Sequence, residues 1–255
     1  LEEEGEGRMK NGVKLGIGVT LFAVVAIGGE LLYLHHERSK PMVGAEPAAV
    51  GKTDPDDLVF LKNKRPSSIG DLKDLYGTTV WISAGGQMDY YPATGKHADY
   101  AHPSGTLLGA EPLAIKDAFE QVAPKQATFR IPGGDKQVLL SFTMPKSDDP
   151  TKMFAFPVGF QKGPDFTFFT DEILFYEDPH VLYKHWGPQI WQAVDSHQVI
   201  LGMNERQVQL SLGQVSKSVS EEYGNRVVIF ANLGHPMAVT FVKNKVTAFR
   251  PDQGF

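Results

Sequence analysis

The densest group of side chains able to bind a metal or move protons is His97-Ala-Asp99-Tyr-Ala-His102, with Asp89 upstream. Two imidazoles and a carboxylate are the ligand types of an open zinc or iron site, where a bound water is activated for hydrolysis. The spacing of His97, Asp99 and His102 matches no metal motif. In so turn-rich a region the alternative is a polar loop of hydrogen-bonded histidines. Other catalytic patterns are missing from the sequence. Ala84-Gly85-Gly86 has neither the glycine spacing of a dinucleotide loop nor the lysine of a phosphate loop. Ser83, Ser104, Ser141 and Ser211 all lie outside a nucleophile elbow. The acid pairs Asp148-Asp149 and Glu221-Glu222 are adjacent in loops, where neighbouring acids are usually solvated turns. His35 and His36 are consecutive, so on a helix they point about 100° apart and are poorly placed to share a ligand. No catalytic or cofactor-binding residue is assigned, and no cofactor is expected.

A second group suits recognition better than catalysis. Asp178-Pro-His-Val-Leu-Tyr183-Lys-His185-Trp186-Gly-Pro188-Gln-Ile190-Trp191-Gln-Ala-Val194 is rich in aromatics. Asp178 can cap a helix that has proline in its first turn. Pro188 starts or kinks a second one, whose apolar face is Ile190, Trp191 and Val194. Packing on a sheet is one reading of this stretch. The other leaves Tyr183, His185, Trp186 and Trp191 as interface anchors, since aromatic residues dominate binding hot spots.

Composition narrows the function class. The 255 residues allow one large or two modest domains, and 42% hydrophobic residues are enough for a real core. A net charge of −5 argues against a nucleic-acid surface, which usually shows a basic excess. With no cysteine there is no disulfide, no thiolate metal site, no cysteine nucleophile and no lipid-modified N-terminal cysteine.

Residues 1–11 begin with an acidic, glycine-containing run without apolar period and read as disordered. Residues 12–34 are nearly uncharged, with Glu30 the only acid. The twenty residues from 15 to 34 are enough to cross a hydrocarbon core as a transmembrane signal-anchor, and Tyr33 fits an interfacial position. A cleaved signal peptide is the alternative, with Lys10 and Lys14 before the apolar run and small residues near Ala26. The anchor reading places a single-pass protein in a bacterial inner membrane, with its body in the periplasm or outside and another envelope protein as partner. Residues 35–57, with Pro41, Pro47 and Pro55, read as a linker.

Residues 58–176 carry many short β-branched or aromatic runs separated by turn signals, which predicts a barrel or sandwich. Expected strands include Thr78-Thr-Val-Trp-Ile-Ser83, and the runs 127–131, 138–144, 152–160 and 172–176. The run 138–144 does not alternate, which fits burial on both faces. In residues 177–255, Asn204 and Gln207 form a capping-box pattern and Gly213 a helix stop. Strands are expected at 225–230, 237–242 and 245–249, with Lys243-Asn244 as a tight hairpin.

The spacing of Leu75-Tyr-Gly-Thr-Thr-Val-Trp-Ile-Ser83 and Tyr90-Tyr-Pro92 resembles a bacterial SH3-like barrel. Ile200-Leu-Gly-Met203-Asn204-Glu-Arg-Gln207-Val208, then Leu212-Gly213, Tyr223-Gly224 and Val239-Thr-Phe241-x-x-x-Lys245-Val246, resembles the SmpA/OmlA (BamE-like) family over about the last sixty residues. That resemblance implies a helix-and-sheet module in a cell-envelope setting. The chain departs from it where Gln214 and Val215 follow Gly213 in place of the usual proline, and in lacking the lipoprotein cysteine.

The expected fold class is α+β: a transmembrane helix, a β-rich barrel-like middle domain, and a helix-helix-three-stranded antiparallel module. The expected function is a non-catalytic scaffold or protein-binding subunit of the envelope. The alternative is a metal-dependent hydrolase or metal-binding protein using the His97–His102 loop.

Overall fold

The computed structural model describes residues 53–125, 136–218 and 220–253. Pro55–Phe255 forms one compact unit. Its larger sheet contains β1 (Thr79–Ile82), β2 (Asp89–Thr94), β3 (His97–Ala98), β4 (Gly105–Thr106), β5 (Pro112–Val122), β6 (Lys136–Thr143), β7 (Phe154–Lys162), β8 (Asp165–Phe168) and β9 (Leu174–Phe175). The main order is β3-β2-β7-β6-β5-β1-β9, with β4 on β2 and β8 on β7, and every pairing is antiparallel.

The long strands β5, β6 and β7 make the centre. Along β6, residues 137–143 are all buried. Val138, Leu140 and Phe142 face one core with α1 (Ile69–Lys73), and Leu139 faces a second with Tyr91 and Phe119. A strand covered on both faces has no reason to alternate. Helix α1 is started by Ser68 and Asp71, which cap each other's backbone reciprocally.

The smaller sheet follows two short helices, α2 (Thr170–Ile173) and α3 (Pro179–Leu182), and two longer ones, α4 (Gly187–Asp195) and α5 (Glu205–Leu212). Its order is β10 (Ser216–Ser218), β11 (Val227–Phe230), β12 (Met237–Val242) and β13 (Lys245–Pro251). Lys243 and Asn244 turn β12 into β13 with φ of 50° and 55°, the backbone that a two-residue hairpin demands. The core under this sheet combines Val228, Phe230, Val239 and Phe241 with Trp191 and Val194 of α4 and Val208 and Leu212 of α5.

The expected fold class is corrected on three points. The middle sheet is open, not barrel-like: among the described residues nothing pairs β3 with β9. Both end strands are only two residues long, and Pro92 of β2 has no N–H to give a ladder. The C-terminal sheet has four strands, not three. Strand β10 reads Ser-Lys-Ser, with all three residues exposed, and is held by its ladder to β11. No helix among the described residues is long and apolar enough to cross a membrane. The stretch 12–34 expected to do so lies outside the described residues, as do the expected strand at 127–131 and the pair His35-His36.

The expected boundary at 176/177 runs through shared packing. Ala110 and Phe175 lie in the same core as Trp186, Met203 and Phe241, with Trp81 packed against it. The join between the two sheets is a glycine contact. A Cβ on Gly109 would sit 1.9 Å from the Leu210 carbonyl oxygen, and one on Gly85 would sit 2.3 Å from the Gly109 nitrogen. Only glycine lets helix and loops approach this closely, and Gln214 N then donates to Gly85 O at 2.9 Å.

Candidate functional site

A cleft opens where three parts of the chain meet. One wall is α5, which contributes Arg206, Gln209 and Leu210. Opposite are Asp171 of α2 and Ser83 after β1, and the floor includes Leu174 and Phe175. The third side is an extended strap, residues 59–67, which contributes Leu61. The recess is about 300 Å³ and open to solvent. Ligand pockets span about 300–1,000 Å³, so it holds one monomer-sized group.

The wall that carries Arg206 is fixed from the helix start. Asn204 accepts from Gln207 N at 2.8 Å, and Gln207 Oε1 accepts from Asn204 N at 2.7 Å. Next to this cap, Glu205 is fully buried and accepts from Arg226, through Nη2 and through Nε at 3.1 Å, and from Gly224 N at 3.2 Å. Asn244 at the β12–β13 turn accepts from Glu205 N at 3.1 Å. The first turn of α5 is therefore tied to the sheet at three points.

The strap is latched at both ends by carboxylates. At its start, the 3-10 turn Pro55–Leu58 buries Asp56. His185 Nε2 and Trp186 Nε1 each lie 2.6 Å from Asp56 Oδ1, and Asn204 Nδ2 donates to Oδ2 at 2.8 Å. Arg206 Nη1 donates to the Asp56 main-chain carbonyl at 3.2 Å. Burial on its own would raise the Asp56 pKa. The Trp186, His185 and Asn204 donors and the Arg206 charge outweigh burial and hold it below the usual carboxylate value. At the far end, Asp171 accepts from Lys64 N at 2.9 Å, Arg65 N at 2.8 Å and the Tyr176 hydroxyl at 2.8 Å. These donors likewise overcome burial and lower its pKa.

Behind the cleft runs an aromatic stack. Tyr183 and Trp186 are 4.6 Å apart between ring centroids, Trp186 and Trp191 are 5.0 Å apart, and Trp191 meets His180 at 4.1 Å. His180 is held between Asp178 at 2.8 Å and Asp195 at 3.1 Å. Of the four expected interface anchors, Tyr183, Trp186 and Trp191 are only 3%, 8% and 7% exposed. They are core aromatics, and Tyr183 and Trp186 show an edge to the cleft. His185 is half-buried and spends its Nε2 on Asp56.

The expected metal candidates do not converge. His102 Nδ1 meets Asp99 at 2.8 Å, while His97 lies exposed on β3. Among the described residues, no group of three or more His, Cys, Asp or Glu side chains could hold a metal ion. Asp149 accepts from the backbone and hydroxyl of Thr151, and Glu222 from Asn225. Both are turn contacts.

The sequence reading missed Asp56, Arg206, Gln209 and Asp171. Asp56 sits in a Pro- and Asp-rich stretch that reads as linker, and its partners are 129 to 148 residues away. Arg206 lies inside the Asn204–Gln207 capping box, in the first turn of the helix, where a charged residue is ordinarily solvated. No family model, curated protein or solved structure matches the chain.

Proposed function

We propose that this protein is a non-catalytic binding subunit and that its working surface is the cleft between the strap and α5. One observation carries the reading. The Arg206 guanidinium, with 43% of its side chain exposed, stands at the rim of a recess with an apolar floor. Apolar floors with a few fixed polar groups at the edge are how proteins bury a partner's anchoring side chain and orient it. The rim is rigid, because its residues sit on a capped helix and a doubly latched strap. A partner therefore gives up little affinity to ordering the site.

The test is a photo-crosslinking amino acid at Gln209, with a second placement at exposed Lys162 as control, in the cell that makes the protein. A discrete adduct from Gln209 and none from Lys162 is the expected result. Adducts at both positions, or at neither, contradict it.

A further inference from the structure

The strap carries a second signal, on the side turned away from the cleft. The sequence there runs Asp54-Pro-Asp56-Asp57-Leu58-Val-Phe60-Leu61-Lys62-Asn63-Lys64-Arg65, with acids at one end, an apolar centre and bases at the other. Leu58, Phe60 and Leu61 are 60%, 86% and 48% exposed. A single apolar residue on a surface needs no explanation, but three within four positions form a patch of the kind that marks a contact.

The backbone of the same centre is also unspent. The latches hold only the ends of the strap, through the Pro55–Leu58 turn and through Lys64 N and Arg65 N on Asp171. Between them, Phe60, Leu61, Lys62 and Asn63 make no backbone hydrogen bond among the described residues. An extended segment held in place with free N–H and C=O groups is the form in which one chain adds to another.

The order of the charges selects the occupant. An antiparallel neighbour of the same sequence sets the acidic end of each strap beside the basic end of the other, twice over, about a two-fold axis near Phe60. A parallel copy sets like beside like. An anionic lipid surface attracts one end and repels the other, because 54–65 holds three acids and three bases. The end charges already have neighbours in the chain. Lys62 meets Glu177 at 2.9 Å, Asp57 lies 4.0 Å from Arg206, and Lys64 stands over the Tyr176 ring at 5.6 Å. The side chains of Lys62 and Asp57 are still 67% and 65% exposed. Surface pairs of this kind are worth at most about 1 kcal/mol and leave room for a second partner. Only Asp56 is spent, buried in its latch.

We infer that two copies of this chain associate strap to strap and antiparallel, with Phe60 of each at the centre and Asp57 of each beside Lys64 of the other. The contact is short, so the dimer is weak, with a Kd on the order of 100 μM. It uses the outward side of the strap and does not depend on what the cleft binds.

The test is sedimentation equilibrium of the purified full-length chain at low salt, from about 10 μM to about 1 mM. Asp57→Lys and Lys64→Glu, each alone, bring like charges together at both ends and are expected to weaken association roughly tenfold. Mixed in equal amounts the two variants restore it, because each supplies the charge that the other needs. Phe60→Ser, at a side chain 86% exposed, abolishes it while the thermal midpoint is unchanged. A parent that stays monomeric at the highest concentration overturns the inference. So does a mixture that associates no more strongly than either variant alone, or a Phe60→Ser protein that associates like the parent.

Discussion

Replacing Glu205 with alanine is expected to cost about 4 kcal/mol of folding stability, since breaking a buried ion pair typically costs about 3–5 kcal/mol. The reason is what the substitution leaves behind. Arg226 loses its partner on both Nε and Nη2, and Gly224 N loses its acceptor, all around a side chain with no solvent exposure. Arg226 also stacks over the Tyr223 ring at 5.5 Å, so it is not free to swing into water. Glu205 further lies in the first turn of α5, where a negative charge is stabilised by the positive end of the helix dipole. Glu205→Gln keeps an acceptor and the shape, and is expected to cost about half as much. For a domain of this size the alanine variant lowers the thermal midpoint by about 10 °C. A calorimetric melt of the two variants beside the parent checks this. A loss below about 1 kcal/mol for the alanine variant shows that the pair does not hold α5 to the sheet.

Asp56→Ala is expected to cost about 3 kcal/mol and to release the strap. Two buried donors, Trp186 Nε1 and Asn204 Nδ2, are stranded, and each costs about 1–3 kcal/mol unsatisfied. His185 is half-buried and can turn partly to water. The released segment carries Lys62 and Lys64, so limited trypsin digestion is expected to cut there several-fold faster than in the parent. Unchanged cleavage contradicts the latch. The acid dependence has a definite sign. The folded-state pKa of Asp56 is lowered, so its contribution is complete above the usual carboxylate pKa. It is lost as pH falls through the lowered folded value. Thermal midpoints of parent and Asp56→Asn therefore converge at acid pH and separate towards neutrality.

The parts of this fold that the sequence disclosed are those whose cause is local. The Asn204–Gln207 cap, the proline-started helices after Asp178 and the Lys243-Asn244 hairpin each depend on residues within a turn of one another, and each is found where expected. The run from Val138, which does not alternate cleanly, likewise signalled the burial on both faces seen along β6. Non-local decisions were not legible. Whether the sheet closes depends on what β3 and β9 meet, and Ser216-Lys217-Ser218 is a strand only because β11 lies beside it. The aromatic stretch at Tyr183, His185, Trp186 and Trp191 showed its composition but not its direction. Stacking turned those rings inward and left the cleft rim to Arg206 and Gln209, which carry no distinctive motif. Asp56 had no signal at all, because the donors that define it come from the other end of the chain.

The most direct test of the cleft as the binding surface is the Gln209 crosslink repeated in two variant backgrounds. Arg206→Glu reverses the charge at the rim. Phe249→Lys puts a charge in place of an exposed apolar side chain on β13, the end strand that offers a competing surface. The adduct is expected to disappear in Arg206→Glu and to persist in Phe249→Lys, with both proteins folded by thermal melt. Persistence in the first and loss in the second would contradict it and move the binding surface to the sheet edge.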